Sequence, residues 1–534
     1  MNNTTSKKLQ VWIPLLFAII MIVGMLAGYK IRENTPGNKS FLKSPAKRSS
    51  LQEVIDIINL KYVDAIGVDT LADDAITEML TRLDPHSIYI PPSSLKEANE
   101  DLQGNFQGIG VEFQIFEDTV NITSVLPGGP SDKAGIQLGD KIVKVEDSLV
   151  AGNGITSARI KNLLRGPGGS RVNIAIARGA KLQPFVIERG TIPLPSVDAA
   201  YMVGKDVGYI RVNKFSETTY EEFMKALESL QAKGSQKLLL DLRGNGGGIL
   251  GEAIDMADEF IDGNKLIVYT EGNKVGREDY RCKRNGLFEK GKLVVLVDEN
   301  TASASEIVSG ALQDWDRATL VGRRTFGKGL VQQQYDLSNK GGLRLTVARY
   351  YTPSGRSIQK PYSGKSDAYD EDIINRYHHG DMVNADSNKI QNGKVYKTKE
   401  GRAVYGGGGI MPDVFVAFDT SSLSNAITKL YAKSTMNNFA YRYYIGHRDE
   451  FKKYRSPEEF NSNFETGGKV WDSFNGFAIK DSVSLIYLTP RDRQFVEQRI
   501  KALLARLIWR NEGFYEILNS NDSTFRRAMR IVEQ

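Results

Sequence analysis

Cysteine and histidine are scarce in this 534-residue chain. Its single cysteine, Cys282, excludes an intramolecular disulfide framework and any zinc site that needs several cysteines. With four histidines, a histidine-rich metal centre is not expected, and a Ser-His-Asp enzyme would have few candidates for its base. These histidines are His86, His378, His379 and His447. A hydrolase of this composition would be expected to place its proton on another kind of side chain.

A strong excess of one charge is also missing. The chain carries 70 lysines and arginines against 64 aspartates and glutamates, and a net charge of +6 is too small to indicate a nucleic-acid surface on so long a chain. Hydrophobic residues make up 41% and charged residues 25%, as in ordinary globular proteins. At about 100 to 200 residues per domain, the length predicts about three to five domains.

The N-terminal segment contains one long uncharged run, from Leu9 to Tyr29. About 21 residues give roughly 31 Å of helix, which is enough to cross a bilayer. We therefore predict that residues 1–50 form a cytoplasmic tail, a transmembrane helix and a linker. A cleaved signal peptide is the alternative, but the apolar run is long for one and no clear A-x-A cleavage site follows it. Basic residues flank both ends of the run, so charge alone does not settle its orientation.

Hydrophobic periodicity divides the rest of the chain, and the whole is predicted to be a multidomain α/β protein. A helical module is followed by short β-branched runs between Gly/Pro turns, then by alternating buried strands and helices, and finally by a basic region of helical period. A polar stretch within the α/β part is predicted to be a flexible insertion. The predicted bounds are 51–103 for the helical module, 104–190 for the β-rich segment, 191–420 for the α/β core, about 360–409 for the insertion and 421–534 for the C-terminal region.

One buried strand, KLVVLVD, ends in a turn of small residues that contains Ser303. Ser303 and Glu306 have the S-x-x-E spacing of a capping box, in which both side chains satisfy backbone N–H groups at the start of a helix. The other interpretation is a nucleophile at a strand-to-helix turn, where small neighbours admit a substrate and the helix N-terminus offers N–H groups to an oxyanion. Ser303 alone does not decide between the two.

Lys328 stands between two glycines in GRRTFGKG and has no acidic residue nearby in the sequence. A lysine acts as a general base only when it is neutral, so burial or a hydrogen bond must lower its pKa from about 10.4. The flanking glycines allow the backbone to approach another segment closely. The amide of Gln332 could orient the amine without forming an ion pair with it. This second residue favours the interpretation of Ser303 as a nucleophile.

Two glycine-rich motifs indicate other chemistry. GRRTFGKG fits the G-x-x-x-x-G-K pattern of a phosphate-binding loop, but Gly329 stands where Ser or Thr should hold magnesium, and a strand is predicted where a helix should begin. A dinucleotide-binding fingerprint is matched by Gly246, Gly248 and Gly251, with Glu271 about 20 residues further on. Three residues separate the preceding strand from its first glycine, and the same N–H groups could hold an oxyanion. An NAD-dependent oxidoreductase stays open at this point.

Taken together, the motifs resemble those of the C-terminal processing (tail-specific) peptidases, which are serine proteases with a Ser/Lys catalytic pair. The resemblance covers roughly residues 51–416, in the family's order. It implies a crotonase- or Clp-protease-like α/β core with a PDZ domain inserted at residues 104–190, and it implies no metal or organic cofactor. The matching segments are LDPHSIYI, GIGVEF, ITSVLPGGPSDKAGIQLGDKIVKVED, LLRGPGGSRV, VGYIRVNKF, LLLDLRGNGGG, ENTASASEIVSGALQD, VGRRTFGKGLVQ, YYTPSGRSIQ and GIMPDV.

Residue by residue, the resemblance implies that Ser303 is the nucleophile, that Lys328 is the general base and that Gln332 positions the lysine. It also implies an oxyanion hole that combines the N–H group after the nucleophile with a glycine N–H from GNGGG. The candidate oxyanion donors are Ala304, Gly247 and Gly248.

In the PDZ domain, the resemblance implies a loop whose N–H groups bind the terminal carboxylate of a peptide, while the adjacent strand pairs with the peptide by β-augmentation. The loop residues are Gly108, Ile109, Gly110 and Val111. Arg165, just after the expected PDZ helix, would link peptide binding to the protease core. A solvated cation at a helix end is the alternative for Arg165.

The implied function is a membrane-anchored serine endopeptidase whose catalytic domain lies outside the cytoplasm, on the periplasmic side. Its expected partners are proteins or peptides with apolar C-termini and the membrane, with no nucleic acid, and homo-oligomerisation is left open. A catalytically silent PDZ scaffold is the main alternative, and an NAD-dependent oxidoreductase is the third. The insertion and the C-terminal region have no counterpart in the resemblance, so no role is transferred to either.

Overall fold

The computed structural model describes residues 5–33, 49–363, 369, 371–384, 394–418 and 424–534. They belong to two compact units, Met1–Ile76 and Thr77–Gln534. The first elements of the chain are the helices α1 (Thr5–Glu33), α2 (Ser50–Lys61) and α3 (Val68–Thr81), the strand β1 (Ile88–Ile90) and the helix α4 (Pro92–Gln103).

Helix α1 coincides with the predicted N-terminal helix and extends beyond the uncharged run at both ends. Within the described part of the chain, we find no helix that combines the length and the apolar character needed to cross a membrane. The predicted transmembrane helix is therefore not confirmed. Most of the predicted linker, residues 34–48, lies outside the described residues.

The predicted helical module is not helical throughout. Strand β1 pairs antiparallel with Gly342–Tyr351, a strand from the far end of the α/β core. Helix α4 then ends at Gly104, whose φ of 72° is the left-handed conformation with which glycine commonly terminates a helix. Residues 77–103 are thus joined to the core by strand pairing, which a local helical period does not reveal.

An antiparallel β-domain occupies the predicted PDZ segment. Its elements are β2 (Asn105–Gly108), β3 (Val111–Phe116), β4 (Thr119–Val125), α5 (Pro130–Lys133), β5 (Lys141–Val145), β6 (Ser148–Leu149), α6 (Ser157–Leu164), β7 (Arg171–Arg178), β8 (Lys181–Glu188) and β9 (Gly190–Pro193). The sheet has the order β3-β4-β5-β7-β8, with β6 paired to β5, and β2 pairs with β9 where the chain enters and leaves. Alternating β-branched residues such as Ile122, Ile142 and Ile174 form its core.

The α/β core and its insertion contain the next elements. They are β10 (Val197–Val203), β11 (Val207–Val212), α7 (Thr219–Ala232), β12 (Lys237–Asp241), α8 (Leu250–Asp258), β13 (Leu266–Glu271), β14 (Glu278–Arg281), β15 (Lys292–Val297), α9 (Ala304–Asp314), β16 (Thr319–Gly322), β17 (Leu330–Asp336), β18 (Gly342–Tyr351), α10 (Asp372–His378), β19 (Val395–Lys397), β20 (Ala403–Tyr405) and β21 (Val414–Phe415).

Two sheets build this core. The first has the order β10-β11-β12-β15-β16-β21 and is parallel from β11 onward. The second is antiparallel, with the order β1-β18-β13-β14 and with β17 also paired to β18. The apolar runs of β12 and β15 are almost fully buried, as is typical of parallel strands covered by helices. Because β12 and β15 are parallel neighbours, the segments that follow them meet at one edge of the sheet.

The described part of the polar insertion differs from the flexible excursion that its composition predicts. It contains helix α10 and a hairpin of β19 and β20, and both Lys360 and Arg376 are buried in it. The polar composition was misleading because these charges are partnered inside the protein rather than solvated. Residues 385–393 of the insertion lie outside the described residues.

The C-terminal region is helical, as predicted. Its helices are α11 (Asn425–Ala432), α12 (Thr435–Gly446), α13 (Arg448–Phe451), α14 (Pro457–Asn463), α15 (Lys469–Lys480), α16 (Pro490–Asn519) and α17 (Ser523–Glu533). Helix α17 packs Phe525, Ala528 and Val532 into the same buried cluster as Tyr209 and Leu239 of the first sheet. The end of the chain therefore caps the α/β core.

Candidate active site

Ser303 lies in the turn between β15 and α9, as predicted. Its backbone has φ 55° and ψ −116°. A residue that only caps a helix ordinarily has an extended backbone with negative φ, whereas this conformation costs a serine on the order of 1–3 kcal/mol. Strain of this kind is concentrated at functional sites, so the geometry favours the nucleophile over a simple cap.

The buried carboxylate of Glu306 joins the turn of Ser303 to the loop of Lys328. Its Oε2 atom accepts from the N–H groups of Ser303 and Lys328, at 2.9 Å each, so the two nitrogens lie within about 6 Å of each other. Its Oε1 atom accepts from the Thr325 hydroxyl and from the Gly327 N–H, the latter at 2.8 Å. Burial raises the pKa of Glu306. The S-x-x-E spacing thus marks a tether between two loops as well as the start of a helix.

Lys328 is held by an amide rather than by an acid. Its Nζ donates to Gln332 Oε1 at 3.0 Å, and Gln332 Nε2 donates in turn to the backbone carbonyl of His86. Among the described residues, no carboxylate forms an ion pair with this Nζ. Burial lowers the pKa of Lys328, and burial together with the nearby lysine lowers the pKa of His86 to about 4. The site therefore makes Lys328 easier to deprotonate than a lysine in water, and it disfavours the charged form of His86.

The glycine loop after β12 packs directly against the turn of Ser303. A Cβ on Gly247 would lie 2.7 Å from the Ser303 Cβ and 2.9 Å from the Ala304 nitrogen, so only glycine permits this approach. The Gly247 N–H, however, donates to Asn245 Oδ1 at 2.9 Å. Gly248 forms an isolated parallel bridge with Phe215, in which the hydrogen bonds are made by the Gly247 carbonyl and the Ile249 N–H, so the N–H of Gly248 itself points away from Phe215. The N–H of Gly247 is therefore already used, which leaves Ala304 and Gly248 as the candidate oxyanion donors.

The dinucleotide fingerprint does not have the topology that nucleotide binding needs. Glu271 ends β13, which lies in the second sheet and pairs with β14 and β18 rather than with β12. Gly248 also approaches Phe215 so closely that an added Cβ would lie 2.0 Å from its carbonyl oxygen. A Rossmann site requires the acidic residue on the next parallel strand of the same sheet. The oxidoreductase alternative is therefore wrong, and the strand β17 after Gly329 likewise disagrees with a phosphate-binding loop.

The sheet of the predicted PDZ domain ends in two edge strands, β3 and β8, each without a second partner among the described strands. Strand β3 pairs only with β4, and it directly follows the predicted carboxylate loop. Within that loop, Ile109 is buried and Gly110 has a φ of 75°. Val111 packs toward the domain core, whereas Gly108 belongs to the β2–β9 pair. An open edge next to such a loop is the arrangement that β-augmentation requires.

Arg165 is not the solvated cation that one interpretation predicted. Its Nη1 donates to the buried Glu100 of α4 at 3.0 Å, and its guanidinium lies 4.5 Å from the centre of the Phe106 ring. Helix α4 in turn contacts the second core sheet, where Gln334 Nε2 donates to Asn99 Oδ1 at 3.1 Å. Arg165 therefore connects the end of the PDZ helix to α4, and through α4 to the strand that follows Lys328.

Several residues that shape the site were not found from the sequence. Asp84 accepts from the N–H groups of His86 and Ser87, at 2.8 Å each, and so fixes the turn whose carbonyl holds Gln332. The hydroxyl of Tyr350 donates to the Ser303 carbonyl at 3.0 Å. LDPHS and RYYTPSG carry these residues, but the contacts that reach the site span the sequence: Gln332 lies 246 residues from His86, and Tyr350 lies 47 residues from Ser303. Motifs and periodicity in the sequence do not indicate such long-range contacts.

Three family models match the chain. Residues 206–366 match Peptidase family S41, residues 122–178 match a PDZ domain, and residues 426–510 match a family of unknown function, DUF8443. The last match falls within the C-terminal helices. The first two match the α/β core and the β-domain that precedes it.

Similar proteins of known name are carboxy-terminal processing proteases. The carboxy-terminal-processing protease of Bartonella bacilliformis is 37% identical over 316 residues, which cover 58% of this chain and 71% of that protein. CtpA of Bacillus subtilis is 34% identical over 352 residues, which cover 65% of this chain and 75% of CtpA. Among solved structures, the photosystem II D1 C-terminal processing protease is 28% identical, with 70% of this chain and 88% of that chain covered and a TM-score of 0.34.

Replacing Glu306 by glutamine tests the tether. The variant keeps the side-chain volume, but its NH₂ group faces N–H donors that need an acceptor, so the turn and the loop should separate. We expect a fluorophosphonate to label Ser303 about 100-fold more slowly, because small displacements of reacting groups have effects of this size.

Glu299→Gln is the matched control. Glu299 is also a buried carboxylate in the connection between β15 and α9, but it pairs with Arg323 at 2.6 Å and holds neither Ser303 nor Lys328. It should be labelled at nearly the wild-type rate. Equal labelling of folded Glu306→Gln and wild type would show that the tether is not needed.

Proposed function

Because the chain belongs to the carboxy-terminal processing proteases of peptidase family S41, which are serine peptidases, we propose that Ser303 and Lys328 are its nucleophile and general base. We further propose that its PDZ domain receives the C-terminal tail of protein substrates. Both proposals assign roles to particular residues within an enzyme class that sequence similarity already establishes.

The observation that carries the Ser/Lys proposal is the common attachment of both residues to Glu306 Oε2. The carboxylate accepts from the two backbones, while the amine of Lys328 is turned toward the neutral amide of Gln332. A lysine paired with a carboxylate would keep its proton, whereas a partly buried lysine on an amide gives it up more readily. Lys328 therefore acts as the proton acceptor, a role for which this chain has few histidines.

In the proposed reaction, Ser303 Oγ attacks the scissile carbonyl and Lys328 Nζ accepts the hydroxyl proton. The N–H groups of Ala304 and Gly248 stabilise the negative oxygen of the tetrahedral intermediate. When the C–N bond breaks, Lys328 donates its proton to the leaving amine, and Ser303 remains esterified. Water then attacks the ester, with Lys328 again as the base, and releases the new C-terminus. Gln332 keeps the amine oriented through both half-reactions.

Tail recognition is proposed from the open edge of β3. An extended peptide added to this edge would place its terminal carboxylate at the loop of Gly108–Val111, while its side chains alternate toward and away from the domain. Arg165 and Glu100 then offer a route from the PDZ helix to α4 and the core. A PDZ scaffold without activity is disfavoured, because the strained Ser303 and the amide-held Lys328 serve no purpose in tail binding alone.

Ser303→Ala, Lys328→Ala and Lys328→Arg should each lower kcat on casein, an unfolded protein substrate, by about 10⁴-fold or more. The arginine variant keeps the positive charge but cannot accept a proton near neutral pH. Lys292→Arg, an exposed change at the start of β15, is the matched control and should retain activity. Circular dichroism checks that every variant is folded. Turnover by folded Lys328→Ala at a wild-type rate would contradict the mechanism.

Amidation of a substrate's C-terminus tests the PDZ proposal. A peptide substrate that ends in apolar residues with a free carboxylate should have a KM about tenfold or more below that of its C-terminal amide, because the amide is a poorer partner for the N–H groups of the loop. The rate at which a small fluorophosphonate labels Ser303, measured without peptide, serves as the control. It should be the same for the enzyme samples that are used with the acid and with the amide. Equal KM values for acid and amide would contradict tail recognition.

We also propose that α1 attaches the protein to a membrane, with the other domains outside the cytoplasm. Trp12, Phe17 and Met25 of this helix are exposed by 61%, 67% and 70%, and large exposed apolar surfaces are typical of membrane or protein contacts. The full chain should sediment with membranes and be digested by trypsin added to spheroplasts, whereas a chain that starts at residue 49 should stay in the supernatant. Equal distribution of the two chains between pellet and supernatant would contradict the proposal.

A further inference from the structure

The polar insertion contacts the loop that carries Lys328. Arg376, in helix α10, is only 4% exposed. Its Nη1 donates to the Thr325 carbonyl at 3.1 Å, and its Nη2 donates to the Arg324 carbonyl at 2.5 Å. These carbonyls precede Lys328 by three and four residues. One guanidinium of the insertion therefore holds two successive peptide groups of the base loop, which we define as residues 324–329.

Lys360, at the start of the insertion, holds the same loop from another side. Its N–H donates to the Gly327 carbonyl at 2.9 Å, and its Nζ lies 4.0 Å from the ring centres of both Phe326 and Tyr369. The Nζ also donates to the Tyr369 carbonyl at 3.0 Å and to Asp372 at 3.2 Å. Phe326 of the base loop is thus fixed through a cation that is itself bound to the insertion.

A third contact reaches the group that orients the lysine. The Tyr369 hydroxyl and His86 Nε2 lie 2.7 Å apart and share a hydrogen bond. The backbone carbonyl of His86 accepts from Gln332, whose side-chain oxygen holds Lys328 Nζ. The insertion therefore touches both the loop on which the base sits and the residue that supports its orienting amide.

We propose that the insertion is a built-in clamp on the base loop and that Arg376 is a positioning residue, which places Lys328 by holding the Arg324 and Thr325 carbonyls. The proposal rests on the assignment of Lys328 as the general base. It gives a role to a segment most of which lies beyond residues 206–366, the part of the chain that matches Peptidase family S41. The role is positional, since Arg376 touches neither Ser303 nor the amine of Lys328 in the described contacts.

Stability alone does not account for an arginine at this position. Its closest carboxylate oxygen, on Asp372, is 3.9 Å away, and the neighbouring guanidinium of Arg324 opposes its charge. Burial lowers the pKa of Arg376 to about 10, so the cation is costly to bury. A buried ion pair can often be replaced by apolar residues of similar volume without loss of stability. What an apolar residue cannot supply is a rigid fork of donors that fixes two carbonyls at once.

The experiment compares Arg376→Ala, Arg376→Lys and the control Arg402→Ala in the full chain, with casein as substrate. Arg402 belongs to the same insertion, but its guanidinium pairs with Asp316 and Asp413 rather than with the base loop. For each variant, kcat, KM, thermal unfolding and the pH profile of kcat/KM are measured. The charged or titratable groups that face Lys328 are Asp84, His86, Glu306 and Arg344, and none of them is changed.

Arg376→Ala should lower kcat at pH 7 by about 10- to 100-fold with little change in KM, because the base is displaced but tail binding is not. A freed loop also exposes Lys328 to water, so the acidic limb of kcat/KM should move to higher pH and activity should partly recover there. Arg376→Lys, with one donor group instead of a fork, should give an intermediate kcat. Arg402→Ala should keep the wild-type kcat and the wild-type position of the acidic limb of kcat/KM.

An unchanged kcat and an unchanged acidic limb in folded Arg376→Ala would overturn the clamp. If that variant shows no cooperative unfolding transition, Arg376→Lys decides by the same two readouts. Lys328→Ala separates the two proposals. If Lys328→Ala is inactive while the Arg376 variants behave as wild type, only the clamp fails, whereas an active Lys328→Ala would remove the base on which the clamp depends.

Discussion

One buried carboxylate, that of Glu306, holds the active site together. It accepts four hydrogen bonds, from the N–H groups of Ser303, Gly327 and Lys328 and from the Thr325 hydroxyl. The donors come from two connections that follow neighbouring parallel strands, β15 and β16, so the sheet brings them together and the carboxylate fixes their spacing. An acid buried at this cost is stable only with such partners. The positive φ of Ser303 is maintained within the same network.

The choice of atoms that the Glu306 carboxylate binds matters for the chemistry. Glu306 binds the backbones of the two segments that carry the proposed nucleophile and base, and it leaves the amine of Lys328 to Gln332. Had the carboxylate bound Nζ instead, it would have stabilised the ammonium form and removed the base. In the described site, the strong acceptor Glu306 positions the two backbone segments, whereas the basic amine of Lys328 has the neutral Gln332 as its neighbour. Arg376 extends the same division, since it too holds backbone carbonyls rather than the reacting amine.

Much of this site could be predicted from the sequence, because its parts are local. The strand-turn-helix at Ser303, the glycines around Lys328 and the spacing to Gln332 are all readable along the chain. The contact of Glu306 with Ser303 follows from the capping-box spacing. The contacts of Glu306 with the loop of Lys328, of the Asp84 turn with Gln332 and of Tyr350 with Ser303 were not predictable, since they join segments that are distant in sequence. Composition failed at the insertion, where charged residues predicted a solvated excursion but Arg376 is buried. The spacing to Glu271 wrongly indicated a dinucleotide-binding site, because a sequence fingerprint does not show which sheet a strand joins.

The central claim is that Lys328 is poised to lose its proton, and it can be measured directly. The protein would be labelled with ¹³C at the ε-carbons of its lysines, the Lys328 signal assigned by its loss in Lys328→Arg, and the signal followed by NMR against pH. The expected titration midpoint of Lys328 lies below the ordinary lysine value of 10.5, since burial lowers the pKa of this group. A midpoint at or above 10.5 in the folded protein would contradict it.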